Sequence, residues 1–195
     1  KKIDILSEEK TKQLQKIQWV SEGVPVKVLM DNGLWIEGIG EKNIEKLKGE
    51  STSRPIIKPK FPIYLTNELA DILANLYCDG TSNDYNGGNT EYGNQNYFLI
   101  LKFKRNINTA FGAVKTSEKY VEDTNMFYLR IPHYIGRLLH RKFQLDNNRV
   151  PKIIRNSSDD IKGSYLRSVF DDEGTVSNRH CQIRLKMKYE TYLID

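Results

Sequence analysis

The sequence has few cysteines and no long apolar segment. Its two cysteines, Cys78 and Cys181, lie far apart in the chain, so neither a disulfide framework nor a zinc site with closely spaced ligands is expected. No apolar run reaches the length of a membrane span, and no signal peptide is visible. The phosphate-binding P-loop, the Ser-His-Asp order of hydrolases and the Rossmann glycine fingerprint are also missing. We therefore expect an intracellular protein (cytoplasmic, nucleoid or organellar) with no membrane partner.

Positive charge is missing from one region. Between Tyr64 and Asn96 there is no Lys or Arg, whereas five Asp and Glu occur there. The next region, Tyr97 to Asn156, holds twelve Lys and Arg against four acids. Scattered solvated charge would explain this pattern. A basic surface for a polyanion beside a small acidic metal site would explain it equally well.

The N-terminal part is predicted to be separate from the rest of the chain. Residues 1–50 read as a small helical segment, with one helix over 8–23 and a second, amphipathic one over 40–49. This segment fits a DNA-reading helix-turn-helix, and it also fits a helical packing appendage. Residues 51–63 contain three prolines and are predicted to form an extended linker.

From residue 64 onward, the periodicity predicts alternating helices and strands. A helix begins at Thr66, and a long hairpin or inserted loop follows over 81–96. "YFLILKFKR" is predicted as a strand, "NINTAFG" as a short helix, residues 113–132 as two strands and 132–145 as a helix. The hexamers "LILKFK" and "IRLKMK" match in character, which indicates an internal repeat. The first repeat would span 64–161 and the second 162–195.

Two segments end in an acid followed by glycine. Residues 72–80 read "ILANLYCDG", and residues 166–174 read "LRSVFDDEG". Both resemble the nine-residue signature of the LAGLIDADG family, whose best-known members are homing endonucleases and intein-borne nucleases. The resemblance covers about residues 65–195, and the first copy departs from it at Tyr77, where the family has an acid. It implies an α+β fold of αββαββα pseudo-repeats that form a DNA-binding saddle.

The two motifs have a simple physical logic. Small residues, Ala74 and Ser168, would let the two helices pack closely. Each helix would then end at a glycine, which tolerates the positive φ needed to leave it. The preceding acids, Asp79 and Glu173, would project from one end of the helix pair, where a divalent cation offsets their repulsion.

The resemblance implies a site-specific, divalent-metal-dependent double-stranded DNA endonuclease. Asp79 and Glu173 would be its catalytic residues. With Gly80 and Gly174 beside them they would form the metal site. Mg²⁺ (or Mn²⁺) is the expected cofactor, because hard oxygen ligands suit it and phosphate supplies the remaining ligands.

Lys and Arg side chains near the predicted sheet are candidates for binding double-stranded DNA. "CQIRLKMKY" alternates between apolar and cationic residues, so one face of this strand would be basic. The first copy would place Lys102 and Lys104 on the matching face. The DNA-binding candidates are Lys102, Lys104, Lys115, Arg130, Arg184, Lys186 and Lys188.

Other functions remain open at this point. A bacterial class of transcription regulators carries degenerate copies of the same motifs and binds DNA without cutting it, and intron-splicing maturases use the same fold on RNA. A purely structural domain is a further alternative. Because the second copy ends at Asp195 before its repeat is complete, we expect a longer parent chain or another chain to supply the rest.

Overall fold

The computed structural model describes residues 34–38, 44–49, 56–60, 63–82, 90–143, 145, 150–177 and 182–185. The helices are α1 Asn67–Cys78, α2 Tyr97–Phe111, α3 His133–Phe143, α4 Lys152–Arg155 and α5 Asp159–Glu173. The strands are β1 Leu34–Gly38, β2 Ile44–Gly49, β3 Ile56–Ile57, β4 Gly80–Thr81, β5 Thr90–Asn94, β6 Ala113–Val114, β7 Ser117–Val121, β8 Met126–Ile131, β9 Gly174–Ser177 and β10 Gln182–Leu185.

The first sheet joins the N-terminal part to the middle of the chain. Its order is β1-β2-β3-β6, and every neighbouring pair is antiparallel. The prediction of a helix over 40–49 is wrong, because residues 44–49 pair with β1 instead. A segment of ten residues is too short to hold a helix by propensity alone, so pairing with a neighbour decides its structure. The predicted linker also contributes a strand, β3. The helix predicted over 8–23 lies outside the described residues.

The αββαββα order is present from α1 to α3. Helix α1 is followed by β4 and β5, then by α2, then, after the short β6 of the first sheet, by β7 and β8, and finally by α3. The four strands form one antiparallel sheet in the order β4-β5-β8-β7. The described chain is therefore an α+β protein with an αββαββα-like element order, as the sequence predicts.

Helix α2 replaces the strand predicted over 97–105. Its buried residues Ile100, Phe103, Ile107 and Phe111 follow helical spacing. The Asn96 side chain caps the first turn by accepting a hydrogen bond from the Phe98 N–H at 3.1 Å. Because the helix continues to Phe111, the resemblance between "LILKFK" and "IRLKMK" does not reflect equivalent elements. The strand pairs that do correspond are β4-β5 and β9-β10.

Helix α5 and the strands after it repeat the beginning of the fold. The helix runs to Glu173, and β9 begins at once at Gly174 and pairs antiparallel with β10. The strand predicted over 181–189 is thus present over Gln182–Leu185.

Helix α1 forms the centre of the core. Every residue from Leu69 to Tyr77 is buried, because α1 packs against both α2 and α5. Thr66 caps it, accepting a hydrogen bond from the Leu69 N–H at 3.3 Å. Among the described residues, no helix has the length and apolar character required to cross a membrane.

Candidate functional site

The two motif helices, α1 and α5, pack against each other with small residues buried between elements. Ala74 on α1 and Ser168 on α5 are both completely buried. A hydrogen bond links the two helices directly, with Asn75 Nδ2 donating to Asp172 Oδ2 at 2.9 Å. Close packing at small residues is the arrangement that would bring the ends of both helices together.

The glycines that end the motifs are needed for a reason that the sequence did not indicate. Neither Gly80 nor Gly174 has a positive φ, so the prediction of a left-handed exit from the helix is wrong. A Cβ at Gly80 would lie 2.4 Å from Leu76 Cα, and one at Gly174 would lie 2.3 Å from the Phe170 carbonyl oxygen. In both copies the strand leaves so close to the last helical turn that no side chain fits.

Asp79 lies at the end of α1, beside the end of β5. Its Oδ2 accepts a hydrogen bond from Asn94 Nδ2 at 3.1 Å. Its backbone carbonyl accepts a weaker bond from the Gly93 N–H at 3.4 Å. Partial burial raises the pKa of the Asp79 carboxyl, and the Asn94 hydrogen bond opposes that rise. The strand β5 therefore fixes the position of this acid.

Asp172 is a third acid of the site, and the sequence analysis did not identify it. Its Oδ1 accepts a hydrogen bond from the Tyr92 hydroxyl at 2.5 Å and a longer one from Asn94 Nδ2 at 3.4 Å. Burial raises its pKa to about 7, although the hydrogen bonds from Tyr92 and Asn75 oppose the rise. Asp172 thus links the second motif to both α1 and β5.

The electrostatics of Cys78 show how closely the acids gather. Burial raises the pKa of this thiol, and the charges of Asp172, Glu173 and Asp79 raise it further, in that order. One thiol on α1 therefore lies within electrostatic range of an acid from the first motif and two from the second. The charges of Asp79 and Glu173 thus both reach Cys78, and the pairing of these two acids at one metal stays a prediction.

The donor chemistry of this cluster suits a hard divalent cation. Carboxylate oxygens are the ligands that Mg²⁺ prefers. Within the described side chains, no Lys or Arg forms an ion pair with Asp79 or Asp172. Among the described residues, no group of three or more His, Cys, Asp or Glu is placed so that it could hold a metal ion. A cation at Asp79 and Glu173 would therefore take further ligands from water or from a phosphate.

Lys102 lies on α2 and not on the predicted strand. Its Nζ is 3.1 Å from Asp171 Oδ2, 3.4 Å from Asp71 Oδ2 and 3.4 Å from Ser168 Oγ. Only 16% of its side chain is exposed. Lys102 thus joins α1, α2 and α5, and its role in DNA binding stays a prediction.

Lys104 and Lys115, two further DNA-binding candidates, do not lie in strands. Lys104, on α2, forms an ion pair with Glu118 at 2.7 Å. This contact lowers the Glu118 pKa. Lys115 is exposed in the turn between β6 and β7. The prediction that Lys104 belongs to a strand is wrong for the same reason as for Lys102.

Arg130 lies on the face of the sheet that points away from the helices. Its guanidinium donates twice to Glu91 Oε2, from Nε at 3.1 Å and from Nη2 at 2.9 Å. Pairing between β7 and β8 places Lys119 opposite Tyr128 on the same face. A cavity of about 280 Å³ on this face is lined by Glu91, Ser117, Lys119, Val121, Tyr128 and Arg130. In the sequence, the period of two in a strand would have placed Tyr128 on the same face as Arg130.

The remaining DNA-binding candidates are in the last part of the chain. Arg184 lies in β10. Lys186 and Lys188 lie outside the described residues.

Similarity to known proteins is found among solved structures alone. No family model and no curated protein matches the sequence. Among solved structures, the chain is similar to one of mesophilic variants from the homing endonuclease I-DmoI, with a TM-score of 0.33 and 14% sequence identity. The match covers 57% of this chain and 63% of that one, so the chain spans less than two thirds of the length of its structural relative.

Proposed function

We propose that this chain is a divalent-metal-dependent DNA endonuclease that hydrolyses phosphodiester bonds in double-stranded DNA. The observation that supports this function best is the Asn94 amide, which contacts both the Asp79 carboxylate at the end of α1 and the carboxylate of Asp172, the neighbour of Glu173 at the end of α5. Carboxylates that lie close together repel one another when ionised, and a divalent cation between them would offset that repulsion. A divalent cation held by carboxylates is one means by which enzymes hydrolyse phosphodiesters.

Asp79 and Glu173 would hold the cation, each from its own motif. The backbone at Gly80 and Gly174 would lie beside them and turn the chain into the sheet. Bound Mg²⁺ or Mn²⁺ would polarise the phosphodiester and lower the pKa of a bound water. The protein's own contribution is to hold two carboxylates still at the end of a rigid helix pair, so that little reorganisation is needed during the reaction.

The exposed face of the sheet would carry the duplex. Lys119 and Arg130 supply positive charge there, and Tyr128 supplies an aromatic surface. Arg130 is paired with Glu91, so a phosphate or base would have to compete with that carboxylate or use the guanidinium edge that remains. Phosphate contacts of this kind position a protein on DNA without specifying sequence.

A supercoiled plasmid assay tests the proposal. Wild type is incubated with Mg²⁺ or Mn²⁺ beside Asp79→Asn and Glu173→Gln, which remove one charge each while keeping the shape of the side chain. Loss of a metal ligand should cost several kcal/mol of barrier, so nicking is expected to fall by about 100-fold or more in each variant.

Asp160→Asn is the matched control, because Asp160 is exposed in the first turn of α5 and should leave nicking unchanged. Equal nicking by Asp79→Asn and wild type would contradict the proposal. Salt-dependent duplex binding with no nicking by wild type would instead favour a regulator that binds without cutting, and preference for structured RNA would favour a maturase.

A further inference from the structure

The Asn94 side chain is held on both sides. Its Oδ1 accepts a hydrogen bond from the Asn96 N–H at 2.8 Å. This contact fixes which end of the amide is oxygen, and it turns Nδ2 towards the acids. Nδ2 then lies 3.1 Å from Asp79 Oδ2, 3.3 Å from the Tyr92 hydroxyl and 3.4 Å from Asp172 Oδ1. Asn94 is therefore the group that connects Asp79 to Asp172.

Asp172 has little capacity left for a cation. A carboxylate offers about four lone-pair sites. Three donors already contact it, namely the Tyr92 hydroxyl and Asn94 Nδ2 at Oδ1, and Asn75 Nδ2 at Oδ2. Asp79, by contrast, accepts one side-chain hydrogen bond among the described residues. The two acids are thus engaged very differently.

The donors to Asp172 come from two different elements. Asn75 lies on α1, whereas Tyr92 and Asn94 lie on β5. Tyr92 is completely buried, and its ring packs on Phe103 with 4.9 Å between ring centroids. Its hydroxyl is consequently held in place by the core. Because Asp172 itself lies on α5, one carboxylate ties three elements together at the place where the two motifs meet.

We propose that Asp172 is a positioning residue, which anchors the Tyr92 hydroxyl and the Asn94 amide, holds the Asp79 carboxylate in place through Asn94, and does not itself bind the cation. This inference rests on the proposed function, since the cation at Asp79 belongs to it. The role is one of hydrogen bonding, and outer-shell partners of this kind affect metal affinity by about 10- to 100-fold.

Two substitutions at one position separate positioning from direct metal binding. Asp172→Asn keeps an oxygen for the Tyr92 hydroxyl, and rotation of the Asn75 amide restores the second hydrogen bond. Asp172→Ala removes every contact. Mn²⁺ affinity, measured by calorimetry without DNA, should stay within about 3-fold of wild type in Asp172→Asn and fall about 10-fold in Asp172→Ala.

Asp79→Asn shows how much Mn²⁺ affinity is lost when a direct metal ligand is removed. If Asp172→Asn loses as much affinity as Asp79→Asn, Asp172 is a ligand and the proposal is wrong. Unchanged affinity in Asp172→Ala would overturn it as well. Tyr92→Phe serves as a second variant where Asp172→Ala does not fold. It removes a single hydroxyl and should weaken Mn²⁺ binding in the same direction.

A metal-free measurement keeps this proposal distinct from the proposed function. Hydrogen exchange of the Asn94 side-chain amide, followed by NMR, should be slow in wild type and Asp172→Asn, and faster in Asp172→Ala and Tyr92→Phe. Slow exchange in all four proteins would overturn the positioning role. Wild type that binds no Mn²⁺ and nicks no plasmid would refute the endonuclease, and the amide exchange would still decide whether Asp172 holds Asn94.

Discussion

At the scale of single residues, the environment of Asp172 has a consequence for stability. Its pKa is raised to about 7 by burial, against about 3.9 for an unperturbed Asp. The folded state therefore binds a proton that the unfolded chain releases between these values. The contribution of this group to stability is full below about pH 4 and is lost as the pH rises through 7.

We expect the free energy of unfolding to fall between pH 5 and pH 8 more steeply in wild type than in Asp172→Asn, which cannot titrate at this position. Urea unfolding at both pH values measures the difference. The raised pKa of Asp79 acts in the same direction in both proteins, so it largely cancels from the comparison. Parallel pH dependences in the two proteins would show that Asp172 keeps an ordinary pKa.

At the scale of elements, the sequence predicted the two motif helices and the strands β7 and β8 well, because their caps and periodicities are local signals. The prediction failed for α2, because "LILKFK" alternates as a strand does, whereas the apolar spacing shows the helix only when read through to Phe111.

The sequence also gave no indication of the role of Asp172. The partners of that acid, Tyr92 and Asn94, lie far away in sequence, in a Gly- and Asn-rich stretch that reads as a loop. Which donors meet an acid depends on tertiary packing, and no local pattern contains that information.

Lys102 provides a prediction about how the helices hold together. Lys102→Met should destabilise the protein by about 2 kcal/mol or more, because it leaves the buried carboxylate of Asp71 with less compensation. Urea unfolding measures this change.

Lys104→Met, on the same helix, is the matched control. The pair between Lys104 and Glu118 is more exposed, at 41% and 35% of the two side chains, so its loss should cost roughly 0–1 kcal/mol. Equal losses in both variants would show that the contacts of Lys102 with α1 and α5 add nothing.

At the scale of the whole molecule, the candidate metal ligands and two candidate DNA-binding cations lie on different sides of one sheet. The acids lie on the helix side, where β5 meets α1 and α5. Lys119 and Arg130 lie on the opposite face. A duplex on that face would meet positive charge first, and the acids would be reached at the end of the helix pair.

Lys119→Ala should weaken binding of a random duplex and reduce the slope of log K against log salt by about 1, as expected for the loss of one phosphate contact. Fluorescence anisotropy over a salt series measures this slope. Lys162→Ala removes a cation near the other end of α5, roughly 16 Å from the acids at 1.5 Å per residue, and should leave the slope unchanged. A reduced slope in Lys162→Ala alone would place the duplex elsewhere.

The pairing of β3 with β6 bears on where this protein can be shortened. Ile56 and Ile57 lie opposite Val114 and Ala113 in the first sheet. Part of the proline-rich segment 51–63 is therefore a β-strand, and a truncation within this segment would disrupt the sheet. Removal of all residues before 64 would leave the backbone amides and carbonyls of β6 without the pairing that β3 provides. Unpaired edge strands promote aggregation. A truncated protein for crystallisation or spectroscopy should therefore start before β1.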